Sequence, residues 1–211
     1  MSDAAAKLKY DVQPLFADPV FRMSLADVIT PANEAFIKSL PMQKNQVNLI
    51  SDDLYIFERP ELANIKAAVH QALGIYARDI MGTSSELYVT QSWSLINPPG
   101  VGMHGHTHSN SIISGSLYFT DLPDPPANMV FDRYKLYRQI ELAVEGDRRN
   151  IYNSPYHAIT PKKHELILFS SDFQHFVEAN RSQKDRHSIA FNTFVRGKIG
   201  NFRDVSELNL K

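Results

Sequence analysis

His104-Gly105-His106-Thr107-His108 places three histidines within five residues. The spacing is two residues each time, and on an extended strand side chains two apart point to the same face. Read as a strand, the stretch brings three imidazoles toward one point. Imidazole is the commonest protein ligand for a redox-active or Lewis-acidic metal. The strand reading therefore decides both the fold class and the chemistry to look for.

The surrounding sequence supports strands. From about Leu87 onward, short β-type runs fall near 87–97, 102–108, 113–120, 128–132, 165–170, 174–178 and 186–196. Turn clusters separate them, as in Pro98-Pro99-Gly100 and Asp121-Leu122-Pro123-Asp124-Pro125-Pro126. Many short strands with turn signals between them predict a sandwich or open barrel. Upstream, Val12 to Phe21 is apolar and interrupted by proline, which suits an edge strand or an extended arm. Such an arm can pair with its own barrel or with a neighbour, which leaves a homodimer open. Thr30-Pro31 is a helix start, a cap residue followed by proline at the first helical position, and predicts a helix to about Leu40. A second helix is expected from Pro60, with Leu62, Ile65, Val69, Leu73, Tyr76 and Ile80 forming one stripe and Gly82 as its stop. The segment 134–160 is polar and mixed, and is expected to be a long loop or insertion with some helix and a place for substrate selectivity.

Composition narrows the function. The 211 residues fit one domain, 1–211, with an arm and helices over 1–86 and a β core over 87–200. Basic and acidic residues number 22 and 23, for a net charge of -1. That balance argues against bulk electrostatic binding of nucleic acid or an anionic membrane. There is no cysteine, so disulfides, thiolate zinc sites, iron–sulfur clusters and cysteine nucleophiles are excluded together. A metal here must use histidine, carboxylate or backbone oxygen. Met1-Ser2-Asp3-Ala4 reads as no signal peptide, and no run approaches the roughly 20 apolar residues of a membrane span. A cytoplasmic protein is the expectation.

Two further features lie downstream. His175 follows the apolar run ending at Phe169 and the polar turn Ser170-Ser171-Asp172. In Arg186-His187-Ser188-Ile189-Ala190-Phe191-Asn192, residues Arg186, Ser188, Ala190 and Asn192 share one face, and His187, Ile189 and Phe191 the other. The first is a poor core face and a good wall for a polar pocket. An arginine with a hydroxyl two residues away suits a carboxylate, bound bidentately by the guanidinium with the hydroxyl adding a further hydrogen bond. A histidine alone in a strand is more often structural; the upstream cluster and the downstream Arg-x-Ser make His175 a ligand candidate. His70, His157 and His164 lack partners at telling spacing and are expected to be exposed or structural.

In order, Gly100, His106-x-His108, His175 and Arg186-x-Ser188 resemble the 2-oxoglutarate/Fe(II)-dependent oxygenases, and among them the prolyl-hydroxylase-like group. Ser92-Trp93, Ser114-Gly115-Ser116-Leu117-Tyr118 and Leu168-Phe169-Ser170 add to the likeness, as does Leu15-Phe16-Ala17-Asp18-Pro19-Val20. The resemblance implies a mostly β fold: a double-stranded β-helix, jelly-roll or cupin-like, with the N-terminal helices packed on one sheet. It implies Fe(II), the cosubstrate 2-oxoglutarate and O2, with hydroxylation of an unactivated C–H bond of a small-molecule or peptidyl substrate and release of succinate and CO2. His106, His108 and His175 would be the metal ligands. Arg186 would bind the distal carboxylate of 2-oxoglutarate with Ser188 beside it, and Tyr118 and Asn97 are weaker candidates for cosubstrate contacts. Trp93, Tyr118, Phe119 and Phe131 are candidates for an aromatic pocket lining.

One position departs from the superfamily pattern. A carboxylate commonly stands where this chain has His108. Asp172 is the alternative source of a carboxylate, and His104 is the spare histidine. Other readings stay open: a cupin-like three-His dioxygenase without 2-oxoglutarate, or a jelly-roll binding module without turnover. Gly100-Val101-Gly102-Met103-His104-Gly105-His106 also suits an amidohydrolase opening, but well over roughly 200 residues usually follow that motif and about half that number follow here. The metallo-hydrolase pattern His-x-His-x-Asp-His fails at Asn110-Ser111.

Overall fold

The structure is a computed structural model and describes residues 11–133 and 144–210. Two antiparallel sheets carry the fold. Eight strands, β4 (Glu86–Asn97), β5 (Met103–His106), β6 (Ile113–Tyr118), β7 (Met129–Asp132), β8 (Tyr156–Ile159), β9 (Glu165–Ser170), β10 (His175–Val177) and β11 (Arg186–Ile199), alternate between them. The larger sheet contains the order β9-β6-β11-β4, and the smaller sheet is β5-β10-β7-β8. Each consecutive strand crosses to the other sheet or turns back within it, which is the double-stranded β-helix expected from the sequence. The larger sheet is extended by β1 (Val20–Ser24) on β9, by β3 (Leu49–Ser51) and β2 (Met42–Lys44) beyond β4, and by β12 (Leu208–Leu210) on β11.

Two helices cover the outer face of the larger sheet. Helix α1 (Pro31–Ser39) starts as predicted: Thr30 accepts from the Asn33 amide and the Asn33 side chain accepts from the Thr30 amide, a reciprocal cap with proline at the first position. Helix α2 (Ala63–Ile75) follows a 3-10 turn at Pro60–Leu62. Leu62, Ile65, Val69, Leu73 and Tyr76 are buried as the stripe requires. Ile80 is not, at 39% exposure. Residues Tyr76–Ile80 form a π turn, whose wider winding rotates Ile80 out of the stripe.

Strand alternation divides the interior into two layers. Ile113, Leu117, Phe119, Ile189 and Phe191 point to the helices and pack with Phe57, Leu62 and Val69. Tyr118, Met129, Phe131, Ile167 and Phe169 form a second cluster between the sheets. Gly115 is required by this packing. It stands opposite Phe191 in the β6–β11 register, and a Cβ there would lie 2.1 Å from the Phe191 ring. Gly115→Ala is expected to lower stability by about 1–3 kcal/mol through overpacking. Urea denaturation checks this: the midpoint should fall with little change in slope.

Several sequence expectations need correction. The edge strand sits at Val20–Ser24, pairs with β9 of its own barrel, and leaves 11–19 exposed and without regular structure. Strands β2, β3 and β12 were not expected, and β8 falls inside the segment read as a loop. Strand β8 is short, edge-located and mostly exposed, so hydrophobic alternation does not mark it. Residues 134–143 of that segment, like Met1–Ala4, lie outside the described residues. Among the described residues, no helix is long and apolar enough to cross a membrane.

Candidate metal centre

The sheets bring His106, His108 and His175 together, each by a different device. His106 ends β5 and His175 begins β10, and the two are direct partners across that antiparallel pair, with ring centroids 4.5 Å apart. Strand β5 stops at His106, so His108 does not arrive by strand periodicity. It arrives on the turn after β5, where its amide donates to the Ser171 carbonyl at 2.9 Å. One ligand atom from each ring lies within 4.8 Å of the other two. Gly102 allows β5 this close to β10; a Cβ there would meet the Val177 carbonyl oxygen at 2.5 Å.

Backbone carbonyls set the ring orientations. His106 Nδ1 lies 2.8 Å from the His104 carbonyl oxygen, and His175 Nδ1 lies 2.9 Å from that of Phe173. A carbonyl accepts only, so each Nδ1 carries the proton and each Nε2 presents its lone pair to the cluster. His108 Nε2 and His175 Nε2 are 3.4 Å apart. Burial, reinforced by the neighbouring His106, pushes His108 down to about 4. Burial also pushes His175 down to about 3. Both are neutral at pH 7 and release no proton on taking a metal. Two imidazole nitrogens bound side by side to one first-row ion at about 2.1 Å lie roughly 3 Å apart, near the 3.4 Å between His108 and His175, so the three donors suit a divalent metal in type and this pair suits it in spacing. Among the described residues no carboxylate belongs to the cluster. Asp172 is exposed, and its carboxylate accepts from the Ser170 hydroxyl. His104 is exposed beside His106, with ring centroids 5.6 Å apart, and lies outside the ligand group.

The cluster opens into a cavity of about 360 Å³ between the two sheets. Arg186, Ser188 and Ala190 of β11 form one wall, as their phase predicts, with Trp93, Leu95 and Asn97 of β4 beside them. Arg186 is 2% exposed. Its Nη2 donates to the Tyr118 hydroxyl at 2.9 Å, its guanidinium lies 5.0 Å from the Tyr118 ring centre, and its Nε has no hydrogen-bond partner. No carboxylate pairs with it among the described residues. A buried, incompletely bonded guanidinium facing a cavity is costly unless an anion completes it.

The remaining candidates divide. Tyr118 is buried behind Arg186 and acts on it through the hydroxyl. Asn97 lines the cavity, but its side chain is engaged: Nδ2 donates to the Gly102 carbonyl at 3.0 Å, and Oδ1 accepts from Asn48 at 3.3 Å. Of the four aromatics expected in the lining, Trp93 is there. Phe119 faces the helices, one strand position out of phase with Tyr118, and Phe131 lies under His175 at 6.0 Å between ring centres. His187 packs on Phe119, away from the cavity. The turn between β2 and β3, with Asn45, Gln46 and Asn48, completes the cavity and was missed, because 22–86 carries no motif pointing to it. The Phe173 and His104 carbonyls that orient the His175 and His106 rings are backbone atoms without a sequence signal.

Comparisons with known proteins agree with this geometry. Residues 91–192 match the model of a family described as "Putative 2OG-Fe(II) oxygenase". No curated protein matches the chain. Among solved structures, a 2OG-Fe(II) oxygenase family oxidoreductase from Burkholderia pseudomallei aligns with TM-score 0.59 at 12% identity, covering 82% of this chain and 83% of that one. A prolyl-4-hydroxylase from Pseudomonas putida aligns with TM-score 0.56 at 15% identity over 85% and 94%. HygX from Streptomyces hygroscopicus, solved with nickel, 2-oxoglutarate and hygromycin B bound, aligns with TM-score 0.57 at 11% identity over 83% and 82%. The resemblance read from the sequence holds: the segment that contains His106, His108, His175 and Arg186 matches the 2OG-Fe(II) oxygenase family, and the described chain has the double-stranded β-helix fold of those proteins.

Proposed function

We propose that the protein is a 2-oxoglutarate-dependent Fe(II) dioxygenase that hydroxylates an unactivated C–H bond. The observation that carries this reading is Arg186, a buried guanidinium with an unbonded Nε in the same cavity as three convergent histidines. His106, His108 and His175 would hold the metal. Fe(II) with 2-oxoglutarate and O2 supplies the oxidation: the cosubstrate leaves as succinate and CO2, one oxygen atom ending in succinate and the other in the hydroxylated product.

The chain's own residues do the positioning. Arg186 and Ser188 bind the distal carboxylate of 2-oxoglutarate, and Tyr118 holds the guanidinium at its angle. With that carboxylate held at β11, the keto-acid end would be free to reach the histidines that line the same cavity. Phe169 and Met129 line the same cavity with Trp93 and Leu95, an apolar surround that limits water at the reacting centre. The presence of Asn97 at the cavity wall suits a fixed support for the β4–β5 turn and, through it, for His106.

Anaerobic addition of Fe(II) and 2-oxoglutarate tests the reading. A weak visible charge-transfer band of the chelate is expected, and admitting O2 should release succinate and CO2. A folded protein that binds iron but develops no band on adding 2-oxoglutarate would overturn it, and would favour a three-His site that does not use this cosubstrate.

A further inference from the structure

We propose that the prime substrate carries a negatively charged group, seated between His104 and the turn joining β2 and β3. This rests on the 2-oxoglutarate reading and goes beyond it. The argument begins with charge. The ionisable side chains lining the cavity are His104, His106, His108, His175 and Arg186; no Asp, Glu or Lys among the described residues lines it. The acids nearest His175 in sequence are turned away: Asp172 accepts from Ser170, and Glu178 accepts from the Asn128 amide at 3.2 Å.

With His108 where a carboxylate is common, the three metal ligands are neutral. A divalent ion and one guanidinium then face the two carboxylates of 2-oxoglutarate, and one positive charge stays uncompensated. In a partly buried, low-dielectric cavity such an imbalance is expensive and draws in an anion. The open end of the cavity offers donors for it. His104 and Gln46 are exposed there, His104 offers a ring N–H in either tautomer, and Gln46 offers a carboxamide; Asn45 beside them already donates its Nδ2 to Asn48 Oδ1 at 3.0 Å. A ligand anchored there shares one cavity with Trp93 and the histidines.

The test uses the full chain loaded with Zn(II), which does not turn over, and saturated with 2-oxoglutarate. Propionate, propionamide and propylamine, matched in size and differing in charge, are titrated while fluorescence of Trp93, the only tryptophan, reports occupancy. Propionate should bind at least about tenfold more tightly than propionamide, propylamine should be weakest, and 2-oxoglutarate should stay bound. His108→Asp, which restores the missing negative charge, should bring propionate and propionamide to within about twofold. His104→Gln, which leaves the ligand cluster intact, should reduce the propionate advantage and serves where His108→Asp does not fold. Equal binding of the acid and the amide, or propionate that binds only by displacing 2-oxoglutarate, overturns the proposal while leaving the cosubstrate reading in place. Failure of the Zn(II) protein to bind 2-oxoglutarate overturns both.

Discussion

Arg186→Met is expected to weaken 2-oxoglutarate binding by roughly 100- to 1,000-fold and to leave metal affinity nearly unchanged. Among the described residues the guanidinium is the cavity's one permanent cation, and Met fills a similar volume without charge or donors. The second half of the prediction concerns the protein without ligand. There the buried guanidinium has one hydrogen bond, to Tyr118, and an unbonded Nε. Replacing such a group by an apolar one of similar size is commonly neutral or stabilising. The melting temperature of the ligand-free variant should therefore match or exceed that of the wild type, while the upward shift produced by 2-oxoglutarate should vanish. Tyr118→Phe removes the neutral acceptor of the guanidinium's one hydrogen bond and should cost about five- to tenfold in cosubstrate affinity. Calorimetric titration of the Zn(II) protein and thermal melts with and without 2-oxoglutarate measure all three. An Arg186→Met variant that keeps the ligand-induced shift would remove the basis for assigning the cosubstrate.

Arg186 was legible in the sequence because a strand's period is two. Arg186, Ser188 and Ala190 had to share a face, and that face was too polar for core. The apolar run, the polar turn and the new strand put His175 at a strand start, and the upstream histidines with Arg186-x-Ser188 made it a ligand candidate. Helix α1 was legible from its cap, a local interaction between Thr30 and Asn33. What escaped depends on contacts between distant segments. His108 reaches the cluster through a hydrogen bond to Ser171 rather than through alternation. Strands β2 and β3 exist because β4 offers an unpaired edge, and their own sequence, Met-Gln-Lys and Leu-Ile-Ser, carries little signal. Aromatic character alone makes Phe119 a candidate for the cavity, but the alternation that puts Tyr118 behind Arg186 puts Phe119 against the helices.

His175→Leu is expected to lower metal affinity by more than about 100-fold, since loss of even a residue that only orients a ligand costs 10- to 100-fold. Of the three histidines His175 is the buried one, at 3% exposure, and its ring is walled by Phe169 at 4.6 Å and Phe131 at 6.0 Å between centres. Those walls are apolar, so leucine is expected to be accommodated and the fold to survive; the Phe173 carbonyl and His108 Nε2 lose the imidazole beside them. His157→Ala, at an exposed position on β8, should leave metal affinity within about twofold and controls for loss of a histidine as such. The metal-free protein supplies an independent check with a definite sign. Burial lowers His175 to about 3, below the 6.5 of an unfolded histidine. The unfolded chain therefore takes up a proton that the folded chain refuses, and stability present above pH 6.5 is lost as pH falls toward 3. Removing the imidazole removes that loss. Chelator-treated His175→Leu should lose less stability than the chelator-treated wild type between pH 7 and pH 4, as measured by urea midpoints. An unchanged pH dependence would mean that the ring is not held neutral in the folded chain, and retained metal affinity would mean that the cluster does not bind through His175.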